Sequence, residues 1–181
     1  MHRIFFALAL PEQVRQQLAD LQKRLEPAAG AVKWVEKDNF HLTLQFIGSV
    51  DESRLRQLLR NAEAAAACCT KFTITLAGVG AFPSTAKPRV IWTGVTEGRK
   101  ELRELVQALN IALDKLPDKP FSPHVTLGRV RPGRVVNFAQ TLQAGSSFYT
   151  ESIKINSFYC WQSTLTRSGP IYRQLKEFTL L

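Results

Sequence analysis

Histidine is scarce in this sequence: His2, His41 and His124 are the only three among 181 residues. Cysteine is equally sparse. Cys68, Cys69 and Cys160 form no Cys-x-x-Cys pair and no even framework, which excludes a disulfide scaffold and fits a reducing cytoplasm. No apolar run approaches the roughly 20 residues of a membrane span, so no membrane association is expected. The start, Met1-His2-Arg3 followed by apolar residues 4–10, is basic and then hydrophobic as a secretory leader is, but it stops at Pro11 and passes into a charged segment. A Rossmann fingerprint and a P-loop are both missing, which leaves nucleotide-cofactor chemistry without support. Tandem repeats and low-complexity linkers are missing too. Acidic residues are outnumbered, 15 Asp+Glu against 24 Lys+Arg, for a formal charge of +9. Such an excess favours polyanionic partners, nucleic acid above all, by steering and counterion release.

Against that background one pattern occurs twice. His-x-Thr-x stands at His41-Leu42-Thr43-Leu44 and again at His124-Val125-Thr126-Leu127. In a β-strand successive side chains point to opposite faces. His41, Thr43 and Gln45 are therefore expected on one face, with Leu42, Leu44 and Phe46 in the core; His124 and Thr126 likewise oppose Val125 and Leu127. Each copy offers an imidazole with a hydroxyl about 7 Å further along the same face. Two such half-sites facing one another supply a proton donor, a proton acceptor and two hydroxyls for one anionic group. His2 lacks a threonine two places on and is read as solvated.

Residues 4–10 suit a buried strand. Val14, Leu18, Leu21 and Leu25 then recur at helical spacing between Pro11 and Pro27. A brief strand at 33–35 precedes the first His-x-Thr-x strand, which runs to Gly48. Ser49 or Asp51 is placed to cap a second helix with the stripe Leu55, Leu58, Leu59 and Ala62. Residues 72–76 alternate as a half-exposed strand, Gly78 and Gly80 are expected to loosen the chain, and 82–88 reads as a loop. A strand at 89–95 leads to a third helix striped by Leu102, Val106, Leu109, Leu113 and Leu116 and closed by Pro117 and Pro120. After the second motif come a short helix near 137–143 and two strands, 152–162 and 172–178, joined through Arg167-Ser168-Gly169-Pro170.

The order strand, helix, His-x-Thr-x strand, helix is thus played twice, with the two histidines 83 residues apart, close to half the chain. The economical model is one α+β domain over residues 1–181. It is bilobal, with two pseudo-symmetric antiparallel sheets facing a central cleft and helices on the outside.

The paired motifs, framed by Lys33-Trp34-Val35, Asn39-Phe40 and Phe121-Ser122-Pro123, resemble those of the two-histidine phosphoesterase superfamily. The chain looks most like its bacterial and archaeal RNA 2′,3′-cyclic phosphodiesterases, also called 2′-5′ RNA ligases. Further similarity runs through Arg3-Ile4-Phe5-Phe6-Ala7-Leu8, Phe82-Pro83, Pro88-Arg89-Val90-Ile91-Trp92, Gln162-Ser163-Thr164-Leu165 and Gly169-Pro170-Ile171-Tyr172. The resemblance implies a hydrolase that opens the 2′,3′-cyclic phosphate of an RNA end, such as a tRNA-like fragment or oligonucleotide, to a 2′-phosphate. It implies His41 as proton donor to the 3′ oxygen, His124 as acceptor, and substrate contacts from Thr43, Thr126 and Arg129, with no metal or other cofactor. An RNA 5′-hydroxyl in place of water would give ATP-independent 2′-5′ ligation. A monomer in the cytoplasm is expected.

Arg129 follows His124 by an odd offset, so strict alternation turns it away; a bulge or strand end near Gly128 would bring it back. Trp34, Phe5, Phe6 and Trp92 are aromatics that could stack a base, although core packing is the ordinary fate of each. Three rivals stand beside this reading: a metal hydrolase, for which neither motif brings a carboxylate or cysteine at ligand spacing, a related enzyme acting on a small cyclic nucleotide or 2′-5′ oligonucleotide, and a catalytically silent RNA-binding module.

Overall fold

The computed structural model describes residues 1–115, 120–167 and 169–181. Leu116, Pro117 and Ser168, assigned above to a helix end and a turn, lie outside the described residues.

The chain opens with strand β1 (His2–Ala9) and helix α1 (Glu12–Leu25), whose stripe Val14, Leu18, Leu21 and Leu25 is buried as its spacing requires. Short β2 (Val32–Trp34) leads to β3 (His41–Val50) and α2 (Glu52–Ala66). Asp51 caps α2, accepting from the backbone N–H of Arg54 at 2.7 Å. A long hairpin follows, β4 (Phe72–Pro83) and β5 (Pro88–Glu97), then α3 (Arg99–Ala112), β6 (His124–Val130) and α4 (Phe138–Gly145). Strands β7 (Ile153–Ile155), β8 (Ser157–Leu165) and β9 (Pro170–Thr179) close the fold.

The pairing is antiparallel throughout, and the architecture is α+β with two matching halves. One half is β7-β4-β5-β6 and the other β3-β1-β8-β9; they join edge to edge through β6 and β3 into a curled nine-stranded sheet, with β2 added on β6. Strand-helix-motif strand-helix recurs as β1-α1-β3-α2 and β5-α3-β6-α4, the duplication expected from sequence. Helices α1 and α3 are exchanged between the halves, whereas α2 packs on β8 and β9 of its own. α3 packs on β3 and α2, whereas α1 packs on α4, which lies on β4. Leu42 and Val125, both fully buried, sit with these helices in one continuous core.

Three local expectations need correction. β4 does not loosen at Gly78 and Gly80 but continues to Pro83, absorbing a register shift between Ala77 and Gly80. Gly80 is required there because Trp92 of β5 lies across it: a Cβ would fall 2.2 Å from the indole. The strand expected over 152–162 is two strands, divided at Asn156, because β7 pairs with β4 and β8 with β1 on the other half. His2 is not merely solvated; its Nε2 meets Glu52 Oε2 at 2.9 Å.

Candidate active site

The two motifs meet where the halves join. Leu42 and Val125, each the residue after a motif histidine, are the Cα partners that link β3 to β6. Paired residues share a face, so both apolar side chains point into the core and the flanking His41, Thr43, His124 and Thr126 point away from it. An antiparallel register centred on Leu42 and Val125 puts His41 across from Thr126 and Thr43 across from His124. The two imidazoles then stand diagonally, a relation that spans roughly 7–8 Å.

Both rings are anchored alike. His41 Nδ1 lies 2.7 Å from the carbonyl oxygen of Asn39, and His124 Nδ1 lies 2.7 Å from that of Ser122. A carbonyl only accepts, so each Nδ1 carries its proton, and each Nε2 has no hydrogen-bond partner among the described residues. Phe5 and Tyr172 flank His41 at 4.9 and 5.2 Å between ring centroids. Phe82 and Trp92 flank His124 at 4.9 and 6.2 Å.

These surroundings set the charge state. Burial depresses the pKa of His41; the Asn39 carbonyl partly offsets this, and the charges of His124 and Arg129 lower it further. His124 is depressed by burial first, opposed by the Ser122 carbonyl and reinforced by Arg129. Without a ligand the pair is therefore biased towards the neutral form, and an anion between the rings favours protonation of one of them.

A groove of about 770 Å³ runs alongside, lined among others by His41, Thr43, Thr126, Arg129, Trp34 and Tyr172. His124 is not part of that wall and lies on the Phe82 and Trp92 side. Neither threonine hydroxyl is engaged by another protein group, and Arg129 forms no ion pair, among the described residues.

Arg129 reaches the groove because β6 bulges. Ile91 pairs with Gly128 and Trp92 with Thr126, so Leu127 is an extra residue that resets the alternation. Gly128 is dictated by the crossing of β2: a Cβ there would lie 2.4 Å from Val32 and 2.8 Å from Trp34. The same device operates in β3, where Phe6 pairs with Gln45 and Ala7 with Thr43, leaving Leu44 over. The expectation for the end of that strand is thereby reversed. Gln45 is buried and Phe46 turns out to the groove, 46% exposed.

Of the aromatics named from sequence, Phe5 and Trp34 line the groove and Trp92 stands by His124, while Phe6 is wholly in the core. Sequence reasoning missed Phe46, Arg3 and the anchoring carbonyls. A signal existed for two of these features: the anchors lie two residues before each histidine, and Phe46 and Arg129 each lie five after.

No three of the His, Cys, Asp and Glu side chains are grouped to hold a metal ion among the described residues. None of the described helices is long and apolar enough to cross a membrane.

The family model for LigT-like phosphoesterases matches residues 8–92 and 94–172. The chain belongs to that family. An RNA 2′,3′-cyclic phosphodiesterase of Archaeoglobus fulgidus is 35% identical over 97% of this chain and 99% of its own, and one from Aeropyrum pernix is 36% identical over 89% and 93%. Among solved structures, Escherichia coli LigT complexed with 3′-AMP superposes with a TM-score of 0.78 at 26% identity, covering 99% of this chain and 98% of that one.

Proposed function

We propose that this LigT-like phosphoesterase is an RNA 2′,3′-cyclic phosphodiesterase that releases a 2′-phosphate. The observation that carries the reading is the register of the two motifs, which sets the two imidazoles diagonally on one face where the halves join, each with its Nδ1 held by a backbone carbonyl. The name shared by relatives aligned over nearly the whole chain agrees with it.

With the cyclic phosphate between the motifs, His124 Nε2 takes a proton from water as the water oxygen attacks phosphorus. His41, protonated at Nε2, gives its proton to the 3′ oxygen as the bond from phosphorus to that oxygen breaks. Each proton transfer is worth typically 10²- to 10⁴-fold in rate. Thr43, Thr126 and Arg129 donate to the non-bridging oxygens, where charge accumulates, and the guanidinium fork fits two of them at once. If an RNA 5′-hydroxyl replaces the water, the same transfers join the ends through a 2′-5′ linkage without ATP. The basic surface draws in RNA ends such as tRNA-like fragments, and the protein acts as a cytoplasmic monomer on this reading.

The test is to incubate the protein, with a chelator present, with an RNA ending in a 2′,3′-cyclic phosphate and to identify the product isomer. A 2′-phosphate formed at an undiminished rate supports the proposal. A 3′-phosphate overturns the assignment of the leaving oxygen, loss of activity in the chelator favours a metal hydrolase, and no turnover favours a binding module.

A further inference from the structure

The two histidine anchors are alike in their backbone and unlike in their side chains. Ser122 gives His124 its carbonyl and no more: the residue is exposed, and its hydroxyl makes no hydrogen bond among the described residues. Asn39 gives His41 its carbonyl at 2.7 Å, and its side-chain Nδ2 also donates to the carbonyl oxygen of Pro170 at 3.1 Å. Pro170 opens β9, and both residues line the groove that holds His41. Two places further on, Tyr172 sets its ring perpendicular to His41 and 5.0 Å from Phe5. The turn before Pro170 is stiffened within itself, since Thr166 donates to the carbonyl of Gly169 through its backbone N–H at 3.0 Å and through its hydroxyl at 2.6 Å. It moves as a unit or not at all.

We propose that Asn39 is a positioning residue for the reaction set out above: its side chain ties the start of β9 to the first motif, which holds Tyr172 against the ring of His41 and so aims Nε2. An imidazole held at Nδ1 alone can still pivot about that hydrogen bond. A ring packed beside it removes the pivot. Both restraints on His41 thus pass through one residue, whose carbonyl fixes the nitrogen and whose amide fixes the wall that the ring leans on. The tie is needed on this side because β9 is the last strand of the sheet, with a neighbour on one edge only, whereas Trp92 beside His124 stands on β5, between β4 and β6. Without the amide the Pro170 carbonyl loses a half-buried hydrogen bond, which is costly to leave unmade, and the turn takes Tyr172 with it. A reacting group misplaced by about 1 Å loses on the order of a hundredfold in rate. This inference rests on the cyclic-phosphate reading, because that reading makes His41 the proton donor.

Two measurements on Asn39→Ala and Asn39→Asp test it; aspartate has the size of asparagine but, when ionised, no donor. The first is the ring spectrum of nitrogen-15-histidine-labelled protein without substrate, in which three histidines are to be resolved. At about pH 8 both motif rings are neutral. The wild type should show His41 and His124 protonated at Nδ1 alone; both variants should give His41 a mixture of tautomers and leave His124 as it was. The second is kcat and KM on an RNA ending in a 2′,3′-cyclic phosphate, where kcat should fall roughly 10- to 100-fold in both variants with KM nearly unchanged. A His41 signal that stays put in both variants overturns the tie, and so does a change that reaches His124 equally, which is general loosening. A raised KM with an unmoved spectrum also overturns it, making Asn39 a substrate contact. A change confined to His41 in a protein that turns over no cyclic phosphate supports the tie and defeats the proposed reaction instead.

Discussion

Replacing Arg129 by glutamine probes both the binding and the electrostatics of the site. Its guanidinium lines the groove and lowers the pKa of both motif histidines, and in the proposed mechanism it also contacts the substrate. A hydrogen bond to a charged group contributes about 1.5–3 kcal/mol, so its loss should lower kcat/KM roughly 10- to 150-fold. The pH profile carries the sharper signature. The positive charge of Arg129 lowers the pKa of His41 and of His124. Removing it raises both. In the proposed mechanism the competent enzyme has one ring protonated and one neutral, so the rate should fall on the acid side as the base gains a proton and on the alkaline side as the acid loses one. Both limbs of kcat/KM, which report the free enzyme, should therefore move to higher pH in Arg129→Gln. Arg129→Lys keeps the charge and loses the fork; it should keep the wild-type limbs while losing part of the rate. Initial rates on a cyclic-phosphate RNA across pH 4.5–8.5 decide the matter. A glutamine variant that is slow but has unshifted limbs would refute the electrostatic argument.

Four further outcomes follow from the packing. Both motif histidines have lowered pKa values in the folded protein, so the unfolded chain, whose histidines titrate near 6.5, binds more protons; stability should be full above that value and decline as pH falls through it. Urea midpoints should accordingly drop between pH 7.5 and pH 5.5, and the double variant His41→Asn, His124→Asn should narrow that drop. Asp51→Ala removes the α2 cap and should cost about 1 kcal/mol, a fall of a few degrees in Tm by calorimetry. Gly128→Ala puts a methyl against Val32 and Trp34; it should cost about 1–3 kcal/mol in denaturant titrations and reduce turnover by displacing neighbouring Arg129. Leu42→Ala opens a void at the junction of the halves and should cost about 2–5 kcal/mol by the same titration.

What sequence could reveal was decided by periodicity. His41 with Thr43 and His124 with Thr126 obey the two-residue period of a strand, so their shared face was legible, as was the duplicated strand-helix order. The bulges at Leu44 and Leu127 were not, because a bulge is a property of two paired strands and leaves the residues of one strand looking regular. Gln45 and Phe46 were therefore given each other's places, and Arg129 could be brought to the groove only conditionally. Gly80 read as a weak point for a similar reason: the indole it accommodates belongs to Trp92, on a neighbouring strand. Only Asn156 separates β7 from β8, and nothing local to either strand tells that β7 joins one half and β8 the other, since the partners lie on distant strands. His2 finds Glu52 from fifty residues away, a distance no local pattern bridges.

In the proposed mechanism both imidazoles address one phosphorus from opposite sides. A crystal structure of the protein with uridine vanadate, which mimics the five-coordinate transition state of this reaction class, tests it most directly. His41 Nε2 and His124 Nε2 should lie within hydrogen-bond distance of the two apical oxygens, with Thr43, Thr126 and Arg129 on equatorial ones. A complex in which only one histidine reaches the vanadate, or both reach the same oxygen, would contradict it.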